Sequence, residues 1–204
     1  MMLFSEYMAG QKLLPIIQTG CPKTGVAITK AMHEGGVNLV EVVLRHDTSL
    51  SVLSAIKEAF PDLKVGAGTV IDSTILADAL KAGADYIVTP AVTPKLLEAL
   101  VDCGVPVLPG VSSTSDITLA REAGFKEMKL FPANLAGGIA FLNTVKSVYR
   151  DCQFCPTGGI NEKNVDEFLA LSNVFAAGGT WVSAQQWIDD ENWQAITAAC
   201  QQVD

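Results

Sequence analysis

Short apolar runs alternate with amphipathic stretches from one end of the chain to the other. The apolar runs are brief and often β-branched, which reads as buried strands. They fall at residues 13–18, 37–44, 64–68, 86–89, 105–109, 127–131, 153–156 and 174–177. Between them, apolar residues recur three and four apart, the spacing of one helix face. Those helical patterns cover residues 23–34, 50–59, 74–82, 94–103, 115–123, 139–149 and 162–171. Two more, at 183–189 and 191–202, follow the eighth strand.

Glycine turns punctuate the pattern. Gly36-Val37, Gly83-Ala84, Gly104-Val105 and Gly124-Phe125 each stand where a helix should end and a strand begin. Their spacing is the rhythm of βα units, and no linker or composition break interrupts it. The fold class is therefore α/β, and a (β/α)8 TIM barrel spanning residues 1–204 as a single domain is the expected architecture. A doubly wound sheet would need a phosphate or dinucleotide loop after its first strand. Thr19-Gly20-Cys21-Pro22-Lys23 is not such a loop.

Composition narrows the function. The formal net charge is -8, which argues against a nucleic-acid partner, since those need a basic footprint. An anionic ligand has to be held by local dipoles and a few placed cations. No stretch approaches the roughly 18 apolar residues of a membrane span, and the amino terminus lacks a secretory pattern. Five cysteines at irregular spacing suit a reduced, cytoplasmic protein. Cys152 and Cys155 have a redox-like spacing, but on a strand their side chains point to opposite faces.

In a barrel the chemistry lies at the carboxyl ends of the strands. Lys129 stands among apolar neighbours near the end of the sixth strand, which Pro132 closes. Burial there favours the neutral amine, which attacks carbonyls to form Schiff bases. Strands two and six oppose each other in an eight-membered ring, so Glu41 can face Lys129 across the mouth. Alternation places Glu41, Val43 and Arg45 on one face and Lys129 and Phe131 on another. Carboxylate, amine and guanidinium together suit a keto acid. An internal ion pair of Glu41 with Lys129 serving stability alone is the competing reading, and buried pairs contribute little of that. After strands seven and eight come Thr157-Gly158-Gly159 and Gly178-Gly179-Thr180. Glycine-rich loops at those two positions point to a phosphate cradle. His33 and His46 have no paired histidine ligands, so neither a metal nor a cofactor is expected.

With these residues in place, the chain resembles the 2-keto-3-deoxy-6-phosphogluconate (KDPG) aldolase / 4-hydroxy-2-oxoglutarate (KHG) aldolase family, from about Leu13 to Trp181. The carriers are Glu41-Val42-Val43-Leu44-Arg45, Gly66-Ala67-Gly68-Thr69, Lys129-Leu130-Phe131-Pro132-Ala133, Pro156-Thr157-Gly158-Gly159-Ile160 and Gly178-Gly179-Thr180-Trp181. The resemblance implies a metal-independent class I aldolase of the Entner–Doudoroff pathway, a phosphorylated keto acid as substrate, and a homotrimer. It makes Lys129 the Schiff-base lysine and Glu41 the general acid/base. Arg45 and Thr69 resemble the groups that hold the pyruvyl carboxylate, Phe131 packs beside the imine, and Pro90 lines the pocket. Gly158, Gly159, Gly179 and Thr180 match phosphate-binding positions. Arg45 and Thr157 favour the gluconate substrate over its galactonate epimer. Thr180, Ala91 and Asn134 depart from the family's usual serine, glycine and glutamate. A phosphosugar isomerase or epimerase on the same scaffold is the alternative; it would share the phosphate loops and form no imine.

Overall fold

The computed structural model describes residues 2–203. In chain order the elements are α1 (Phe4–Met8), β1 (Leu13–Ile17), α2 (Pro22–Glu34), β2 (Leu39–Val43), α3 (Ser49–Ala59), β3 (Lys64–Gly68), α4 (Ser73–Lys81) and β4 (Tyr86–Val88). Then follow α5 (Pro94–Val101), β5 (Val107–Leu108), β6 (Gly110–Val111), α6 (Thr114–Glu122), β7 (Glu127–Leu130), α7 (Gly138–Lys146), β8 (Gln153–Pro156), α8 (Val165–Leu169) and β9 (Ala177–Gly179). A short 3-10 turn, α9 (Gln185–Asp189) and α10 (Trp193–Gln201) complete the described residues.

All strand pairs are parallel, and they close a ring. One run of six reads β5-β4-β3-β2-β1-β9 and another β6-β7-β8. Single bridges, Phe154 with Val174 and Thr157 with Gly178, join β8 to β9. At the other junction β5 and β6 are two halves of one strand, broken at Pro109, which has no N–H for the ladder. Val107 and Leu108 pair with β4, whereas Gly110 and Val111 pair with β7. The eight expected strands thus form a (β/α)8 barrel, with the fifth split between two neighbours.

Alternation along each strand separates two apolar layers. Val40, Val42, Ile87, Met128, Leu130 and Phe154 face outward into the layer under the helices. Leu39, Tyr86, Val88, Leu108 and Cys155 face inward. Cys152 and Cys155 accordingly lie in different layers, as the strand parity requires. The glycine turns behave as expected: Gly36, Gly83, Gly104 and Gly124 have φ of 95, 93, 80 and 96°, the left-handed region that glycine enters without a Cβ clash.

Several element ends shift by a few residues, and three differences from the sequence pattern bear on the architecture. The eighth strand pairs at Ala177–Gly179 instead of 174–177, because Val174 contributes only a bridge to Phe154. The seventh helix shortens to Val165–Leu169, its start held by Asn161, whose N–H donates to Asn164 Oδ1 at 2.9 Å. α1 had no sequence counterpart, being a single turn that packing stabilises. Phe4 and Met8 bury themselves in the inner layer beside Leu14, Tyr86 and Phe175. Ser5 donates from N and Oγ to the two Glu127 oxygens at 2.7 and 2.5 Å. α1 therefore stoppers the amino-terminal end of the barrel.

Candidate active site

β2 and β7 meet across the barrel through one contact. Lys129 Nζ donates to Glu41 Oε1 at 3.3 Å. Lys129 is 4% exposed and Glu41 0%. Taking two such charges out of water costs several kcal/mol each, and their attraction offsets only part of it. The fold thus holds a pair that stability alone does not explain. The Phe131 ring centroid lies 5.3 Å from Nζ, within range to favour a cation there.

β3 contributes space. Its inward positions are Gly66 and Gly68, and each accommodates a neighbour's side chain. A Cβ on Gly68 would stand 2.0 Å from Glu41 Oε1, and one on Gly66 2.1 Å from Tyr86 Cε2. Beyond β3, Thr69 adopts φ 65°, an uncommon conformation for a β-branched residue and a sign of local strain. Its Oγ1 accepts from Arg45 Nε at 3.3 Å, and Arg45 itself is exposed at the rim. This mouth thus carries a guanidinium and a hydroxyl on the same side as Glu41.

The loop after β8 is built for exposed amides. Gly158 and Gly159 have φ of 94 and 80°. Their carbonyls are occupied: Asn134 N donates to Gly158 O at 3.1 Å, and Asn134 Nδ2 and Asn164 Nδ2 donate to Gly159 O at 2.8 and 3.0 Å. Among the described residues no protein acceptor takes the N–H of Gly158, Gly159 or Thr180. Consecutive free amides of this kind form an anion-binding concavity. The second glycine pair has a different reason. A Cβ on Gly178 would stand 2.5 Å from Thr157 Oγ1, and one on Gly179 2.3 Å from the Trp181 ring. Close packing by itself calls for glycine at 178 and 179.

Burial shapes the groups around the pair. It pushes the Cys155 thiol up to about 12, despite the opposing charge of Lys129. It also raises the Tyr86 phenol well above its ordinary value, helped by the charge of Glu41. Both stay protonated at neutral pH. The wider surface hollows lie elsewhere: one of about 370 Å3 at the amino-terminal end touches Phe4, Phe125 and Glu127. Hollow size is a weaker guide than a desolvated amine–carboxylate pair, so the mouth around Lys129 is the candidate site.

Comparison with known proteins decides the family. The family model described as KDPG and KHG aldolase matches residues 4–199. The chain belongs to the KDPG and KHG aldolase family. A 2-dehydro-3-deoxy-phosphogluconate aldolase of Pseudomonas aeruginosa is 38% identical over 91% of this chain and 84% of its own. A KHG/KDPG aldolase of Escherichia coli is 35% identical over 91% and 87%. Among solved structures, a KDPG aldolase from Legionella pneumophila superposes with a TM-score of 0.95 at 36% identity, covering 98% of this chain and 97% of its own. In that crystal pyruvate is captured as a covalent carbinolamine intermediate.

Within this member of the aldolase family, the residues singled out by sequence gather at one barrel end. Thr157 is buried, Pro90, Phe131 and Gly158 are half-buried, and Thr180 and Gly159 are exposed at the rim. Two residues escaped the sequence reading. Thr89 Oγ1 accepts from Gly110 N at 2.9 Å, fastening β4 to β6 beside the Pro109 break. From the sequence, Tyr86 is only the start of a strand. Its signal was available: a polar aromatic with inward parity, near a strand whose inward positions are glycine.

Proposed function

We propose that this chain is a class I aldolase that cleaves 2-keto-3-deoxy-6-phosphogluconate to pyruvate and glyceraldehyde 3-phosphate, and 4-hydroxy-2-oxoglutarate to pyruvate and glyoxylate. The 3.3 Å contact between the buried Lys129 amine and the Glu41 carboxylate carries this reading. The carbinolamine of the Legionella relative supports it, since that adduct needs an amine nucleophile.

Lys129 Nζ attacks the C2 ketone, and loss of water leaves an iminium that acts as electron sink. The Phe131 face beside Nζ favours that cation. Glu41 removes the proton of the C4 hydroxyl. The C3–C4 bond breaks, its electrons flow into the iminium, and glyceraldehyde 3-phosphate departs from the enamine. Protonation at C3 and hydrolysis then free pyruvate and the amine. Arg45 and Thr69 hold the pyruvyl carboxylate, an assignment supported by their mutual hydrogen bond at the rim above Glu41. Pro90 lines the pocket wall. The free amides of Gly158, Gly159 and Thr180 take the phosphate, while Thr157, Gly178 and Gly179 hold the two loops in register.

The same reading makes residues 1–204 one domain, the assembly a homotrimer, and the cytoplasm its location. The isomerase or epimerase alternative forms no imine, so one experiment separates the two. Pyruvate with borohydride should add a single reduced pyruvyl mass to the peptide bearing Lys129, and Lys129→Ala should abolish both labelling and cleavage. Labelling on another lysine, or none, sinks the Schiff-base reading. A chelator should leave turnover unchanged.

A further inference from the structure

Two buried polar atoms near the reactive pair lack a protein partner. They are Glu41 Oε2 and the Tyr86 hydroxyl. Both residues are 0% exposed. Buried donors and acceptors are seldom left unpaired, so two orphans in the same interior ask for one explanation.

The strand register supplies it. Glu41 on β2 is the Cα partner of Gly66 on β3, and Gly66 is the partner of Tyr86 on β4. All three positions face the barrel interior. Because Gly66 has no side chain, the Tyr86 ring lies across it, with Cε2 and Cζ at 2.1 and 2.2 Å from where a Cβ would be. Adjacent strands are about 4.8 Å apart, so a ring that crosses β3 carries its hydroxyl toward β2 and Glu41. The other groups facing Glu41 are Lys129 on β7, which already holds Oε1, and Cys155 on β8, a thiol. Arg45 stands above at the rim, and Glu127 below is held by Ser5 of α1. On the far side of Tyr86 lie Tyr7 and Asp85. Asp85 is engaged by Lys57 at 2.7 Å, and the Tyr7 hydroxyl reaches the Asp85 carbonyl at 3.5 Å.

We propose that Tyr86 is a positioning residue for the acid/base carboxylate: its hydroxyl donates, through one buried water the two share, to Glu41 Oε2 while Lys129 holds Oε1. A site for such a water needs two or more polar partners, and these two atoms provide them. With both oxygens engaged, the carboxylate cannot rotate away from the amine, and its negative charge gains a donor. This rests on the assignment of Glu41 as the acid/base.

Tyr86→Phe removes the hydroxyl and keeps the ring that fills the space over Gly66. The proposal expects kcat to fall roughly 10- to 150-fold, about one hydrogen bond to a charged group, with KM little changed. In a Glu41→Gln background the same change should have no further effect on the rate of borohydride trapping, since a residue acting through Glu41 has nothing left to act on. Thermal unfolding is measured alongside. A Tyr86→Phe enzyme with native kcat overturns the proposal, whatever its Tm. So does an equal fold-loss in the wild-type and Glu41→Gln backgrounds. If Glu41→Gln itself keeps native turnover, the acid/base assignment fails first, and the inference goes with it.

Discussion

Gly68→Ala separates the chemistry from the fold with a single methyl group. The backbone at 68 does not have a positive φ, so alanine introduces no conformational strain, and losing a glycine in a strand is worth up to about 1 kcal/mol of stabilisation. The methyl would stand 2.0 Å from Glu41 Oε1, 2.7 Å from Cδ and 2.8 Å from Cγ. Restoring ordinary contact at 3.4 Å displaces the carboxylate oxygen by about 1.4 Å. The hydrogen bond to Lys129 starts at 3.3 Å, near the limit of such bonds, and does not survive a shift of that size. A misplacement of order 1 Å at reacting groups costs about 100-fold in rate, within the 100- to 10,000-fold range of general acid–base catalysis. The expected result is a kcat reduced roughly 100-fold, read by coupling pyruvate release to lactate dehydrogenase, with Tm within a few degrees of wild type. Gly66→Ala is the control. There the methyl meets the body of a fully buried ring at 2.1 Å, which has nowhere to go. Overpacking of that kind costs about 1–3 kcal/mol or more, so stability should fall first. Near-native kcat in Gly68→Ala refutes the placement of Glu41 in the mechanism. Parallel loss of Tm in both variants refutes the claim that the two glycines serve different ends.

Gly159→Ala forces alanine to φ 80° and sets its methyl 2.2 Å from Asn134 Nδ2; KM for the phosphorylated substrate should rise about 10-fold or more, and that for 4-hydroxy-2-oxoglutarate should not. Equal rises for both would remove this loop from phosphate binding. Cys21 is exposed, and a hydrogen bond from Thr24 holds its thiol below the ordinary value, whereas Cys155 is pushed up to about 12. Brief iodoacetamide treatment at neutral pH should therefore alkylate Cys21 first, and peptide mass spectrometry finding Cys155 modified in the folded protein would contradict the burial argument. Asp116 lies partly buried, yet donors from Ser112 and Ser113 hold its carboxyl below the usual range. A depressed pKa contributes stability above the unfolded value of about 3.9 and loses it as pH falls through the folded one. Asp116→Ala should cost about 1 kcal/mol at pH 7, a gap that closes below pH 4 in urea titrations; a pH-independent gap would refute the capping role.

Much of this architecture was legible because βα units announce themselves locally. A glycine such as Gly83 or Gly124 ends a helix for conformational reasons that its own position carries, so the rhythm survives without any knowledge of tertiary contacts. Lys129 and Glu41 could likewise be opposed by counting strands, since the ring geometry is fixed once eight parallel strands are granted. What stayed hidden depends on neighbours distant in sequence. The break at Pro109 splits one strand between two partners, and only the closed ring shows which half pairs with which. α1 has too little length to declare itself as a helix, and it exists because Phe4 and Met8 find an apolar well at the end of the barrel. The close approach of Gly178 to Thr157 Oγ1 and of Gly179 to the Trp181 ring is a second demand on those glycines, one that no local pattern encodes.

The α1 stopper has a consequence for how the tube can be altered. Its hold is a pair of hydrogen bonds from Ser5 to Glu127, the seated Phe4 ring, and Lys64 Nζ donating to Tyr7 O at 2.5 Å. Glu127 shares the inward face of β7 with Lys129, so the stopper anchors to the very strand that carries the nucleophile. A protein shortened to begin near Gly10 would open a rear door into the inner layer, wetting Tyr86 and Phe175 and freeing a carboxylate one step below the amine. Water arriving from behind would reach the iminium and hydrolyse it, returning the keto acid and the free amine, without touching any residue at the mouth. The tube is therefore one-ended by virtue of five residues, and the dryness of its inner layer depends on a seal kept at the end opposite the mouth.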